Sequence, residues 1–192
     1  MKTLKVKTTG LTGKKWLTRM EQGKYKVSSC AKDILLSKEF DSMRLKKGVE
    51  QEVAFVSVKD LGKEYATTQE IKDYAKSKGY GMPTPELALL LRESISDEEI
   101  KALGVWYVAV LHEPIKDSGG NTGVLRSYRD ADGRWLDAYW GRPDDRWSTG
   151  GASAFPVSAS STQKFETKPL NSVALNLVSE IEEQLAKLKK LI

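Results

Sequence analysis

A single cysteine, Cys30, and a single histidine, His112, stand in 192 residues. One thiol closes no intramolecular disulfide and one imidazole builds no Cys/His cluster, which excludes zinc fingers, zinc ribbons, cysteine scaffolds and two-histidine metalloproteases. No apolar run approaches the ~18 residues of a membrane span, and the amino end, MKTLKVKTTGLTGKKW, lacks the hydrophobic segment of a signal peptide. Neither GxGxxG nor a P-loop occurs, and Gly119–Gly123 reads as a loop rather than a phosphate cradle. These absences predict a cytoplasmic chain with no membrane span, metal or cofactor.

What is present is charge of both signs. Lysine and arginine total 31 against 26 acidic residues, for a net charge of +5, and the hydrophobic fraction is 40%. The excess is uneven: residues 1–50 carry 13 basic and 5 acidic side chains, whereas residues 51–150 carry 13 and 17. A basic front segment (1–50) therefore precedes a mildly acidic mixed body (51–160), and residues 161–192 read as a separate docking helix.

Apolar runs and alternation predict strands at Thr3–Thr8, Val53–Val58, Val105–Leu111, Val124–Tyr128, Trp135–Trp140 and Ala154–Ser158. Helices are expected over Gly13–Gln22, Ser29–Ser37, Thr68–Lys78, Pro85–Arg92 and Ser172–Leu191. With no repeated strand-and-crossover unit, this order reads as α+β: an antiparallel sheet, several short helices and a long amphipathic C-terminal helix. Thr67 with Glu70, and Ser96 with Glu99, have capping-box spacing; Thr84 is expected to cap a helix with Pro85 in its first position. Between apolar strands, Asp132-Gly133 is the strongest turn signal, with both residues expected at positive φ. Beyond that turn Trp135, Asp137 and Tyr139 share one strand face.

In the last helix Ala174, Val178, Ile181, Leu185, Leu188 and Ile192 recur at intervals of four and three, an apolar seam widened by Leu177 and Leu191. Burying it requires a groove on the same chain, a second copy or another protein. The densest combination of aromatic rings and guanidiniums is Tyr139–Trp147, where Trp140, Arg142, Arg146 and Trp147 are candidate partner-binding residues; an internal network through Asp144 and Asp145 is the alternative. In the basic front, Lys14, Lys15, Arg19, Lys24, Lys26 and Lys32 are compatible with a phosphate-contacting pair of short helices. The second of these begins Ser28-Ser29-Cys30-Ala31-Lys32 and has no evident bidentate base reader.

Enzymatic chemistry has thinner support. Glu113 and Asp137, flanked by Trp135 and Tyr139, are candidate paired carboxylates for hydrolysis, and His112 is a candidate general base. Asp130-Ala131-Asp132-Gly133 is only a fragment of a calcium loop, and Cys30 lacks a local nucleophile motif.

Four blocks in order, Ser29–Leu35, Thr67–Arg92, Trp106–Ile115 and Asp130–Leu136, resemble an uncharacterised bacterial protein family over about residues 25–157. The resemblance implies one main body and supplies no site residue; the tail from Thr162 departs from it. The expectation is a non-enzymatic bacterial interaction protein, self-associating or docking through its last helix and the aromatic/arginine surface. A nucleic-acid accessory role and a carboxylate-pair hydrolase are the alternatives.

Overall fold

The structure, a computed structural model, describes residues 3–157. In chain order the elements are β1 (Thr3–Lys7), α1 (Gly13–Gln22), β2 (Lys26–Val27), α2 (Ser29–Leu36), α3 (Lys38–Ser42) and β3 (Glu50–Ser57). A 3-10 turn (Val58–Leu61) leads to β4 (Tyr65–Thr67), α4 (Thr68–Ser77), α5 (Glu86–Ser94) and α6 (Asp97–Ala102). The remaining strands are β5 (Tyr107–Ala109), β6 (Ile115–Lys116), β7 (Thr122–Asp130), β8 (Gly133–Trp140), β9 (Arg146–Ser148) and β10 (Gly151–Pro156). The C-terminal helix and its seam residues, Ala174 to Ile192, lie outside the described residues.

The architecture is α+β. One sheet runs β1-β3-β10-β5-β7-β8-β2, with β6 added beside β7, and β4 pairs with β9 in a separate ribbon. It is mixed rather than purely antiparallel, because β10 runs parallel to β5 and β2 parallel to β8. Sequence patterning cannot show either pairing, since both join segments distant in the chain.

Period-two alternation divides the interior across the sheet. Val53, Val108, Val110, Leu125, Leu136, Ala152 and Ala154 face a core shared with Trp16, Met20, Ile34, Leu35 and the leucines of α5. Val56, Tyr107, Ala109, Leu111, Val124 and Phe155 face a second core with Ile71 and Ala75 of α4 and with Trp147. With both faces covered, β5 reads as a continuous apolar run.

Local signals account for most helix starts. Thr67 accepts from Glu70 N–H at 3.2 Å while Glu70 accepts from Thr67 N–H at 2.8 Å, and Ser96 with Glu99 repeats the arrangement at 3.1 and 2.9 Å. At α5 the start differs from expectation. Pro85 occupies the cap position, the Thr84 hydroxyl is buried without a partner among the described residues, and Leu87 N–H bonds the Thr84 carbonyl at 3.1 Å. A 3-10-type backbone bond thus satisfies the first turn in place of the side chain.

Glu86, 1% exposed, ties the front segment to this helix. Its Oε1 accepts from Thr9 N–H at 3.0 Å, the Thr9 hydroxyl at 2.6 Å, Gly10 N–H at 3.2 Å and the Trp16 indole N–H at 3.3 Å. The β7–β8 turn is likewise organised by a carboxylate: Asp130 accepts from the N–H groups of Asp132 and Gly133 at 2.8 and 3.1 Å. Only Gly133 of that pair has a positive φ, so the expectation for Asp132 is corrected; side-chain bonding by Asp130 removes the need for a left-handed residue there.

Candidate functional site

The hairpin register builds one aromatic face of the sheet. Counting back from the turn, Tyr128 lies opposite Trp135, Arg126 opposite Asp137 and Val124 opposite Tyr139, and β5 adds Tyr107 beside Tyr128. Arg126 donates from Nε and Nη2 to Asp137 Oδ2 at 3.1 and 2.8 Å, with the two side chains 14% and 17% exposed. The guanidinium carbon lies 4.4 Å from the Tyr139 ring centroid and 5.3, 5.6 and 5.9 Å from those of Tyr128, Tyr107 and Trp106. Carboxylate and ring quadrupoles together replace the water this cation loses.

The β4–β9 ribbon supplies the rest. Trp147 is 3% exposed, lies 6.0 Å from Tyr107 and 5.3 Å from Tyr139, and donates its indole N–H to the Thr68 hydroxyl at 2.8 Å. Its neighbour Arg146 lies 5.2 Å from the Tyr65 ring centroid and has no ion-pair partner among the described residues. Two glycines admit the rings: a Cβ on Gly151 would come within 1.9 Å of Tyr107 Cζ, and one on Gly150 within 2.7 Å of Trp106 Nε1. Burial pushes the Tyr107 phenol pKa up, opposed by its hydrogen bond to Ser148 and by Arg126.

The result is a concavity of about 440 Å³ lined by Tyr65, Trp106, Tyr107, Arg126, Tyr139, Arg146, Trp147 and Ser148. Tyr65 is 53% exposed, Trp106 46% and Tyr139 37%, so upright rings surround a floor whose charge is already neutralised. Of the residues singled out in the sequence, this site gathers Arg146, Trp147 and Asp137 with its neighbour Tyr139. Trp147 is the floor rather than a contact residue.

Trp140 and Arg142 lie elsewhere. They line a second depression with Gly120, Asn121 and Thr122. Arg142 donates to Asp145 Oδ1 from Nη2 at 3.1 Å, and that bond raises its pKa. Glu113 lines a third cavity of about 620 Å³ with Lys72, Lys76, Tyr80 and Phe155, whose lining excludes Asp137.

His112 is fully buried. Leu125 N–H donates to its Nε2 at 3.0 Å and its Nδ1 meets the Glu113 carbonyl at 2.7 Å. The ring thus stands in for a backbone acceptor where the chain leaves β5. Burial lowers its pKa to about 4, against the Glu113 bond and assisted by Lys72. With both nitrogens engaged, the imidazole has no free site for a general base.

The basic front is partly consumed by internal pairing. Arg19 donates to Glu93 at 2.6 and 2.8 Å and lies over Trp16; Lys26 lies over Trp135, and Lys32 approaches Glu21 at 3.9 Å. Lys14 and Lys15 are exposed, as is Lys24. Among the described residues no three His, Cys, Asp or Glu gather to hold a metal ion, and no helix is long and apolar enough to cross a membrane.

Sequence reasoning missed Arg126, Trp106, Tyr107 and Tyr65. The turn register carried a signal for Arg126, since counting outward from Asp130 and Gly133 sets it against Asp137. Comparison of the chain with family models, curated proteins and solved structures finds no match.

Proposed function

We propose that this chain is a non-enzymatic docking protein whose partner surface is the aromatic/arginine concavity. The observation that carries the reading is the exposed ring set of Tyr65, Trp106 and Tyr139 standing around the internally neutralised Arg126–Asp137 pair, with the Arg146 charge unanswered. Wet aromatic rings beside an available guanidinium are the composition of an interface hot spot. Hydrolysis has less support, because Asp137 is held by Arg126, Glu113 lines another cavity, and His112 has both nitrogens occupied.

The test compares full-length wild type with a Trp106→Ala/Arg146→Ala double variant, immobilised in parallel and exposed to cell extract, with light scattering of each in solution. Specific retention of partners, or a mass above 21.4 kDa for the wild type, is expected to be lost in the variant at unchanged circular dichroism. Equal behaviour of the two proteins rejects this face as the docking surface.

A further inference from the structure

We infer that the occupant of the concavity is an extended, proline-bearing peptide segment carrying one carboxylate; this rests on the docking reading above.

The shape supplies the first argument. Trp106 stands edge-on to Tyr107, with centroids 4.8 Å apart and planes at 81°, and to Tyr128, at 6.3 Å and 82°. Tyr139 and Trp147 are tilted at 57°. Rings set at steep angles form ridges with slots between them rather than one flat stacking platform. A polyproline II segment fits such ridges: its pyrrolidine rings are flat and apolar, and it is already ordered before binding, which reduces the entropy cost.

Hydrogen bonding supplies the second. The Trp106 indole N–H and the hydroxyls of Tyr65 and Tyr139 have no hydrogen-bond partner among the described residues. A polyproline II segment has no internal hydrogen bonds, so its carbonyl oxygens point outward as acceptors. The site offers donors; the segment offers acceptors in excess.

Charge supplies the third. Arg126 is matched by Asp137, leaving Arg146 as the one unpaired cation of the lining. One carboxylate completes that balance. Single-stranded nucleic acid would present a phosphate with every stacked base and would need a cationic groove to track it, whereas residues 51–150 carry 17 acidic against 13 basic side chains.

The test uses the full-length, ¹⁵N-labelled protein, reading its indole N–H resonances while titrating four probes: an oligoproline with one central glutamate, the same peptide with glutamine there, an alanine-for-proline peptide keeping the glutamate, and oligothymidine. The first is expected to shift the Trp106 indole resonance saturably and leave that of buried Trp16 in place. Glutamine is expected to weaken binding about threefold, the scale of an exposed ion pair, and Arg146→Ala to erase that difference. Equal binding of the alanine peptide refutes the polyproline requirement; equal binding of the glutamate and glutamine peptides refutes the carboxylate contact. Oligothymidine shifting the same indoles would identify a nucleic-acid face instead. If no peptide binds while the double variant still loses its partners, the peptide class falls and docking stands; unaltered partner retention by the variant removes both.

Discussion

His112 makes the stability of this protein depend on pH in a calculable way. In the fold the ring is neutral, accepting from Leu125 N–H and bonded to the Glu113 carbonyl, with its pKa lowered from 6.5 to about 4 by burial. The unfolded chain therefore takes up the proton first. Stability is complete above the unfolded pKa and is lost as pH falls through 6.5 toward 4, where the accumulated loss is about 3 kcal/mol. At pH 5.5, where most carboxylates are still ionised, linkage gives a loss on the order of 1 kcal/mol relative to pH 7.5, roughly a tenfold change in the folding equilibrium. Because the chain has one histidine, no second imidazole contributes to this slope. Urea titrations at the two pH values measure it, and the imidazole nitrogen resonances report whether the folded ring stays neutral. A free energy unchanged between them, or a folded ring titrating near 6.5, would refute the reasoning. A His112→Gln variant that still folds is expected to lose the pH slope whatever its absolute stability.

Three further outcomes are expected. Glu86→Ala removes the acceptor of the half-buried Thr9 and Gly10 donors and of the buried Trp16 indole and should cost about 2–3 kcal/mol by urea denaturation, while Glu86→Gln, retaining an acceptor, should cost clearly less; an alanine variant within about 1 kcal/mol of wild type refutes the anchoring role. Gly151→Ala drives a methyl into Tyr107 and should destabilise by roughly 2–3 kcal/mol while altering tryptophan fluorescence from the concavity. A double-mutant cycle of Arg126→Met and Asp137→Asn should give a coupling of about 1–2 kcal/mol, and additive losses would show that the rings, not the carboxylate, hold the guanidinium.

Much of the local structure was legible because its causes are local. Gly13–Gln22 forms with the expected bounds, and the Thr67/Glu70 and Ser96/Glu99 boxes follow from residues three apart whose side chains reach each other's backbone. Strand parity grouped Trp135, Asp137 and Tyr139 correctly, because alternation needs no partner. The same short-range reasoning erred at Pro85 and Asp132, where a neighbouring carbonyl and the Asp130 carboxylate provided bonds that residue preference does not report.

The candidate site illustrates the division. By itself the sequence determined that aromatic rings and arginines are concentrated over Tyr139–Trp147 and that Trp135, Asp137 and Tyr139 share a strand face, since both follow from composition and a two-residue period. Only the tertiary structure decided that Tyr65 meets Arg146, that Arg126 sits among four rings, that Trp147 is floor rather than rim, and that Trp140 with Arg142 belongs to another depression. Those outcomes depend on strand order and on which face each ribbon covers. Both are set by burial and pairing between distant segments, which spacing along the chain does not encode.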